Sequence, residues 1–141
     1  MECGSEIVIR HLSGPLRMSH MARALQERVL DFSVKVSRLT TRLPRTPLGI
    51  HLSRQLLRCG TSPAANYAEA QAAESKQDFI HKMRICLKEL RETKVWLQLI
   101  SRLELWRLDE LEGIAGECEE LVAIFTQSVL TATKRARTPG V

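Results

Sequence analysis

Four stretches of this chain repeat apolar residues every three or four positions, three of them in strict alternation, and that rhythm limits the fold more than anything else in the sequence. In the first stretch the row is Leu25, Val29, Phe32, Val36, Leu39 and Leu43. In the third it is Phe79, Met83, Cys86, Leu90, Thr93, Leu97 and Ile100, with Thr93 the one polar member. In the fourth it is Leu111, Ala115, Cys118, Val122, Phe125, Val129 and Ala132. A spacing near 3.5 places such a row on one face of an α-helix and favours left-handed packing against similar rows.

Punctuation sets the expected bounds. The first helix is expected over 21–43, stopped by Pro44 and Pro47. Thr46-Pro47 opens the second as cap and first-turn proline, with Leu48, Leu52, Leu56 and Cys59 on its apolar face. It is expected over 47–72, interrupted and kinked near 60–63 by Gly60-Thr61-Ser62-Pro63, with Ser62 a candidate cap for the resumed part. Ser75 and Asp78 form a capping box for the third helix, over 76–102. Asp109 and Glu112 do the same for the fourth, over 109–133. Four amphipathic helices on short connections imply an all-α fold, an antiparallel up-down-up-down four-helix bundle over 20–133. Residues 1–19, with Ser13, Gly14 and Pro15, are expected to form a flexible arm, and 134–141 a flexible basic tail. Met18 and Met21 compete with Met1 as the start.

At 141 residues the chain fits one domain with a core that needs neither metal nor disulfide. No apolar run reaches membrane-spanning length, and the first twenty residues carry no signal-like apolar core, so a cytoplasmic protein without membrane contact is expected. Cys3, Cys59, Cys86 and Cys118 form no CxxC pair and are expected to stay thiols.

Catalytic chemistry is hard to find. Asp78-Phe79-Ile80-His81 is a distant relative of a di-iron ligand pair, but no second copy exists, and Asp78 suits a helix cap. His11, His20, His51 and His81 do not cluster. Cys86 and Cys118 fall on core seams and Cys59 on an apolar side, where buried thiols are inert. The chain is therefore expected to be no enzyme and to need no metal or cofactor.

Charge is the stronger signal. The net charge is +5, but residues 1–66 carry +6 and residues 102–133 carry −5. Arg28, Lys35, Arg38, Arg42 and Arg45 make a stripe beside the first apolar row, and His51, Arg54 and Arg58 share a face of the second helix. Arg28, Lys35, Arg38, Arg42, Arg45 and Arg54 are candidates for phosphate contacts to RNA or DNA. The alternative is a solvated helix face salt-bridged to acidic neighbours. Gln55, Arg58, Asn66, Glu69 and Glu92 lie near or between apolar rows. They suit a polar network that sets helix register, with Arg58 paired to Glu69 or Glu92. Ile80, Leu87, Trp96 and Leu99 on the third helix, with Leu121 and Ile124 on the fourth, remain once the rows are used. They are candidates for a self-association surface, although some of them can merely widen the core-facing stripe, and the basic-first, acidic-last charge split suits a heterologous ring contact.

The segments QLLRCGTSPAANYAEA (Gln55 to Ala70) and SKQDFIHKMRICLKELRET (Ser75 to Thr93) resemble the four-helix bundle family named after 23S rRNA intervening sequences. Arg58, Ser62, Asn66 and Glu69 match its R…S…N…E positions, Asp78-Phe79-Ile80 its entry to the third helix, and Glu92 a later glutamate. Weaker similarity runs from Leu25 to about Leu130. Cys59, Ala70, Cys86 and Lys88-Glu89 depart from the family pattern. The resemblance implies a ring-shaped homopentameric barrel and does not imply an enzyme. A related branch, the accessory proteins of diversity-generating retroelements, implies a basic pentamer that binds nucleic acid and a reverse transcriptase. Two functions are expected on this basis: a nucleic-acid-binding accessory protein, or an interaction scaffold for a neighbouring effector or reverse transcriptase.

Overall fold

In the computed structural model, residues 19–138 are described. They form four helices and no strand: α1 (His20–Thr40), α2 (Pro47–Gln71), α3 (Lys76–Arg102) and α4 (Leu108–Arg137). One core holds all four, and the predicted rows of α1 and α3 are buried throughout. Tyr67 of α2 and Phe125 of α4 meet edge to face at its centre, with ring centroids 5.6 Å apart.

Helix α1 pairs with α2 in reversed order. Tyr67 donates its hydroxyl to Ala22 O (3.3 Å), Ser33 Oγ lies 3.0 Å from Gly60 O, and Ser53 donates to Thr40 O (3.2 Å). Along α2 and α3, Lys82 meets Glu69, Cys86 meets Pro63 O and Trp96 meets His51, again in reversed order. The α1–α4 seam is the thinnest of the four neighbouring contacts.

Caps explain most of the bounds. Ser19, Thr46 and Ser75 each accept a backbone N–H in the first turn of α1, α2 and α3. Asp78 Oδ2 completes the box by accepting from Glu74 N, one residue before the expected donor. The expected cap of α4 is a correction. Arg107 occupies the N-cap without a side-chain bond, and Asp109 and Glu110 sit inside the first turn, where they offset the helix dipole.

Other bounds also shift. Helix α1 stops at Thr40, because Thr41 and Arg42 bond back to Arg38 O and Leu39 O in a tighter turn, yet Leu43 stays buried. The predicted basic tail is helical to Arg137, with Lys134, Arg135 and Arg137 in the last turn, where cations suit the carboxyl end of a dipole. Residues 1–18 of the expected arm and 139–141 of the tail lie outside the described residues, with Cys3, His11 and Met18.

The expected interruption at 60–63 is absent, for α2 runs unbroken through Pro63. Gly60 is buried, and a Cβ there would lie 2.4 Å from Val36 Cγ1, so its bare backbone lets α1 approach. Ser33 Oγ of α1 lies 3.0 Å from Gly60 O, the carbonyl after the one that Pro63 leaves without a helical donor, and equally close to its own Val29 O. Ser62 caps nothing; its Oγ accepts from Asn66 Nδ2 at 2.9 Å.

Helix α3 ends in a Schellman turn. Leu105 N bonds to Ile100 O (3.1 Å), and Glu104 holds φ 52°, a left-handed conformation that favours glycine. Two opposite effects are expected in urea unfolding. Gly60→Ala should destabilise by about 1–3 kcal/mol through overpacking against Val36, a loss that Val36→Ala in the same chain should partly relieve. Glu104→Gly should stabilise by about 1 kcal/mol through relief of the left-handed strain.

Candidate nucleic-acid interface

The six candidate phosphate contacts divide into two groups. Arg28 of α1 is held by α4: Nε donates to Glu117 Oε1 (2.7 Å), and Nη2 donates to Glu117 Oε2 (3.0 Å) and to Glu120. Arg42, just past α1, donates to Glu110, whose other oxygen accepts from Trp106 Nε1 at 2.6 Å. These two arginines lace the thin α1–α4 seam together. The basic-first, acidic-last charge split therefore closes partly within one chain.

Lys35, Arg38, Arg45 and Arg54 are exposed and make no ion pair among the described residues. Lys35, Arg38 and Arg42 line an open cleft of about 330 Å³ between α1 and α4, with Asp109, Glu110 and Gly113 opposite. Arg45 and Arg54 line a second cleft, of about 250 Å³, at the α1–α2 turn. The four are thus divided between two open clefts rather than gathered in one pocket, an arrangement that suits an extended polyanion better than a small ligand.

The polar network forms, but on the surface of the α2–α3 seam and in two parts. Arg58 donates to Gln55 Oε1 (3.1 Å), to Glu89 Oε2 (3.4 Å) and to Glu92. Glu92 also accepts from Trp96 Nε1 at 3.2 Å, and Trp96 packs edge to face on His51. The Arg58–Glu92 pair expected from the sequence is present. Glu69 instead takes Lys82 at 2.6 Å, and Asn66 bonds to Ser62. Glu89, Lys82 and Trp96 were missing from the predicted set. Glu89 and Lys82 could have been found from the pairing register, because each faces its partner across two helices that run past each other.

Three members of the predicted self-association surface are corrected. Ile80 and Leu87 are 8% exposed and Leu121 is 0%, so all three belong to the chain's own core. Helix α3 packs between α2 and α4, which widens its buried face beyond a single row. Helix α4 is rotated so that Ile114 and Leu121 point inward while Ala115 and Val122 are only half-buried. Leu99 is exposed, and Trp96 and Ile124 are half-buried. Val95 and Leu103 are exposed apolar residues outside the predicted set, and Leu48, expected on the apolar face of α2, is corrected to exposed because it lies in the first turn, ahead of the buried Leu52.

The core thiols are chemically quiet. Burial pushes Cys59 above the ordinary thiol range and raises Cys86 and Cys118 to about 12. No group of three or more His, Cys, Asp or Glu able to hold a metal ion occurs among the described residues. None of the described helices is long and apolar enough to cross a membrane.

The Arg28 clamp makes a pH prediction. Its hydrogen bonds hold the Glu117 carboxyl below the ordinary value of 4.5. A carboxyl with a depressed folded-state pKa stabilises the fold above its unfolded value, and that stability is lost as pH falls through the folded value. Arg28→Gln should lower stability at neutral pH by no more than about 1 kcal/mol, since the pair is partly solvated. It should also flatten the acid limb of a stability–pH curve below 4.5, measured by thermal unfolding.

Comparison with known proteins agrees with the geometry. The sequence profile of the family described as "23S rRNA-intervening sequence protein" matches residues 24–127. No curated protein matches the chain. A crystal structure of a protein of unknown function from the S23 ribosomal protein family of Bacteroides thetaiotaomicron is 33% identical. The match covers 77% of this chain and 97% of that one, with a TM-score of 0.72. With its profile match running from the first turns of α1 well into α4, the chain belongs to the 23S rRNA-intervening sequence protein family.

Proposed function

We propose that this chain is a non-enzymatic, cytoplasmic accessory protein whose antiparallel up-down-up-down bundles assemble into a ring-shaped homopentamer that binds RNA or DNA. The observation that carries the reading is the set Lys35, Arg38, Arg45 and Arg54: exposed, without ion pairs among the described residues, and lining two open clefts beside α1. Cations spaced along a surface track a phosphate backbone by charge, and affinity then falls steeply with salt. No aromatic side chain stands among these four in the sequence for base stacking, so recognition by charge and shape is expected. The reversed order of the helix pairings supports the antiparallel arrangement. These cations and the family resemblance support the accessory role. Burial of the core thiols supports a protein without nucleophilic cysteine chemistry.

The ring is supported by apolar surface that one chain leaves uncovered. Leu48, Val95, Leu99 and Leu103 are 38–53% exposed. The register that pairs His51 with Trp96 brings all four to one end of the α2–α3 seam. This same patch favours the second reading, a scaffold that docks a protein such as a reverse transcriptase or another effector.

Two measurements separate the readings. Native mass with and without nuclease treatment should give a pentamer that releases nucleic acid; a monomer free of nucleic acid would remove the first reading. Lys35→Glu, Arg38→Glu and Arg54→Glu together should abolish retention on immobilised RNA or DNA at low salt. Unchanged retention would take the binding role away from these residues.

A further inference from the structure

A second basic face lies on α3, at residues that the reading above does not use. The positions from Gln77 to Arg91 at steps of four and three are all exposed, and they include His81, Arg84, Lys88 and Arg91; the next position in the row is Val95 of the apolar patch. No carboxylate stands in that row. Arg84, Lys88 and Arg91 make no ion pair among the described residues. Glu92, one turn on from Lys88, is engaged elsewhere, on Arg58. The row is therefore unneutralised as well as basic, unlike the first-helix stripe, where Arg28 and Arg42 are held by α4.

We infer that the outer face of α3 is a second phosphate-binding surface, which engages the backbone of a nucleic-acid strand through Arg84, Lys88 and Arg91. The inference rests on the nucleic-acid reading given above and adds a surface to it. Seven residues of helix advance about 10 Å. One strand of a duplex advances about 3.4 Å per phosphate. Laid along the duplex axis, the three cations therefore cover the rise of about three base pairs. A second copy of the chain fits poorly. An isologous contact would set like charges against each other, and of the α4 carboxylates only Glu112 is without an ion pair among the described residues. Helices α1 and α3 do not pack together in the bundle, so the two basic surfaces sit apart, and one subunit presents two separate tracks to nucleic acid.

The test is a salt titration of binding to a short fluorescein-labelled DNA duplex, with full-length wild type, Arg84→Gln/Lys88→Gln/Arg91→Gln, and Lys35→Gln/Arg38→Gln/Arg54→Gln. The α3 variant should bind more weakly, with a plot of log affinity against log salt shallower by about 3. Its thermal unfolding and native mass should match wild type, because no ion pair is lost. Wild type that binds while the α3 variant keeps the same affinity and slope would overturn this inference and leave the first-helix cations standing. An unchanged slope with an altered native mass would assign the face to a protein contact and overturn it too. Wild type that does not bind at all would remove the nucleic-acid reading itself, and this surface with it.

Discussion

Burial of four apolar rows against one another is the interaction on which everything else in the molecule rests. Val29, Phe32, Leu56, Leu90 and Phe125 are fully covered, and each comes from a row that a lone helix could not hide. Such burial stabilises by roughly 25 cal/mol per Å² of apolar surface removed from water, while the ionic contacts lie at the rim, where solvent weakens them. Hydrophobic packing therefore holds the helices together, and charge adjusts how they sit.

That division of labour shapes the surface. The thin α1–α4 seam closes with long arginine arms reaching acids, and the α2–α3 seam carries Arg58 between Glu89 and Glu92. Carboxylates are consumed in these seams. The cations left over, around α1 and α2 and on the outside of α3, give the surface an excess of positive potential. The local arrangement is more selective than the net charge suggests, because balancing happens between helices and the imbalance remains on their outer faces.

Much of this was legible in the sequence because it is local. Leu25 to Leu39, the caps at Thr46 and Ser75, and the span of α3 depend on neighbours within a few positions. The errors came from what local patterns cannot encode. Pro63 signals a break until Gly60 is seen to admit Val36 and Ser33 is seen to reach a carbonyl 27 positions away. Ile80, Leu87 and Leu121 seem surplus to a row until the neighbouring helices give a face more than one row of cover. Arg28 resembles a free cation until Glu117, 89 positions on, comes beside it. Arg58 with Glu92 was found because the number of plausible partners was small; Glu69 went to Lys82 because the register placed it a turn away.

The three core thiols carry a consequence for studying the molecule in motion. Cys59, Cys86 and Cys118 sit on three different helices and are wholly covered. A small alkylating reagent can reach them only while the helices part, so the rate at which each sulfur is labelled reports how often its own helix swings open. Native side chains thus serve as timers for the breathing of α2, α3 and α4 separately, and no engineered probe is needed to learn which helix leaves first.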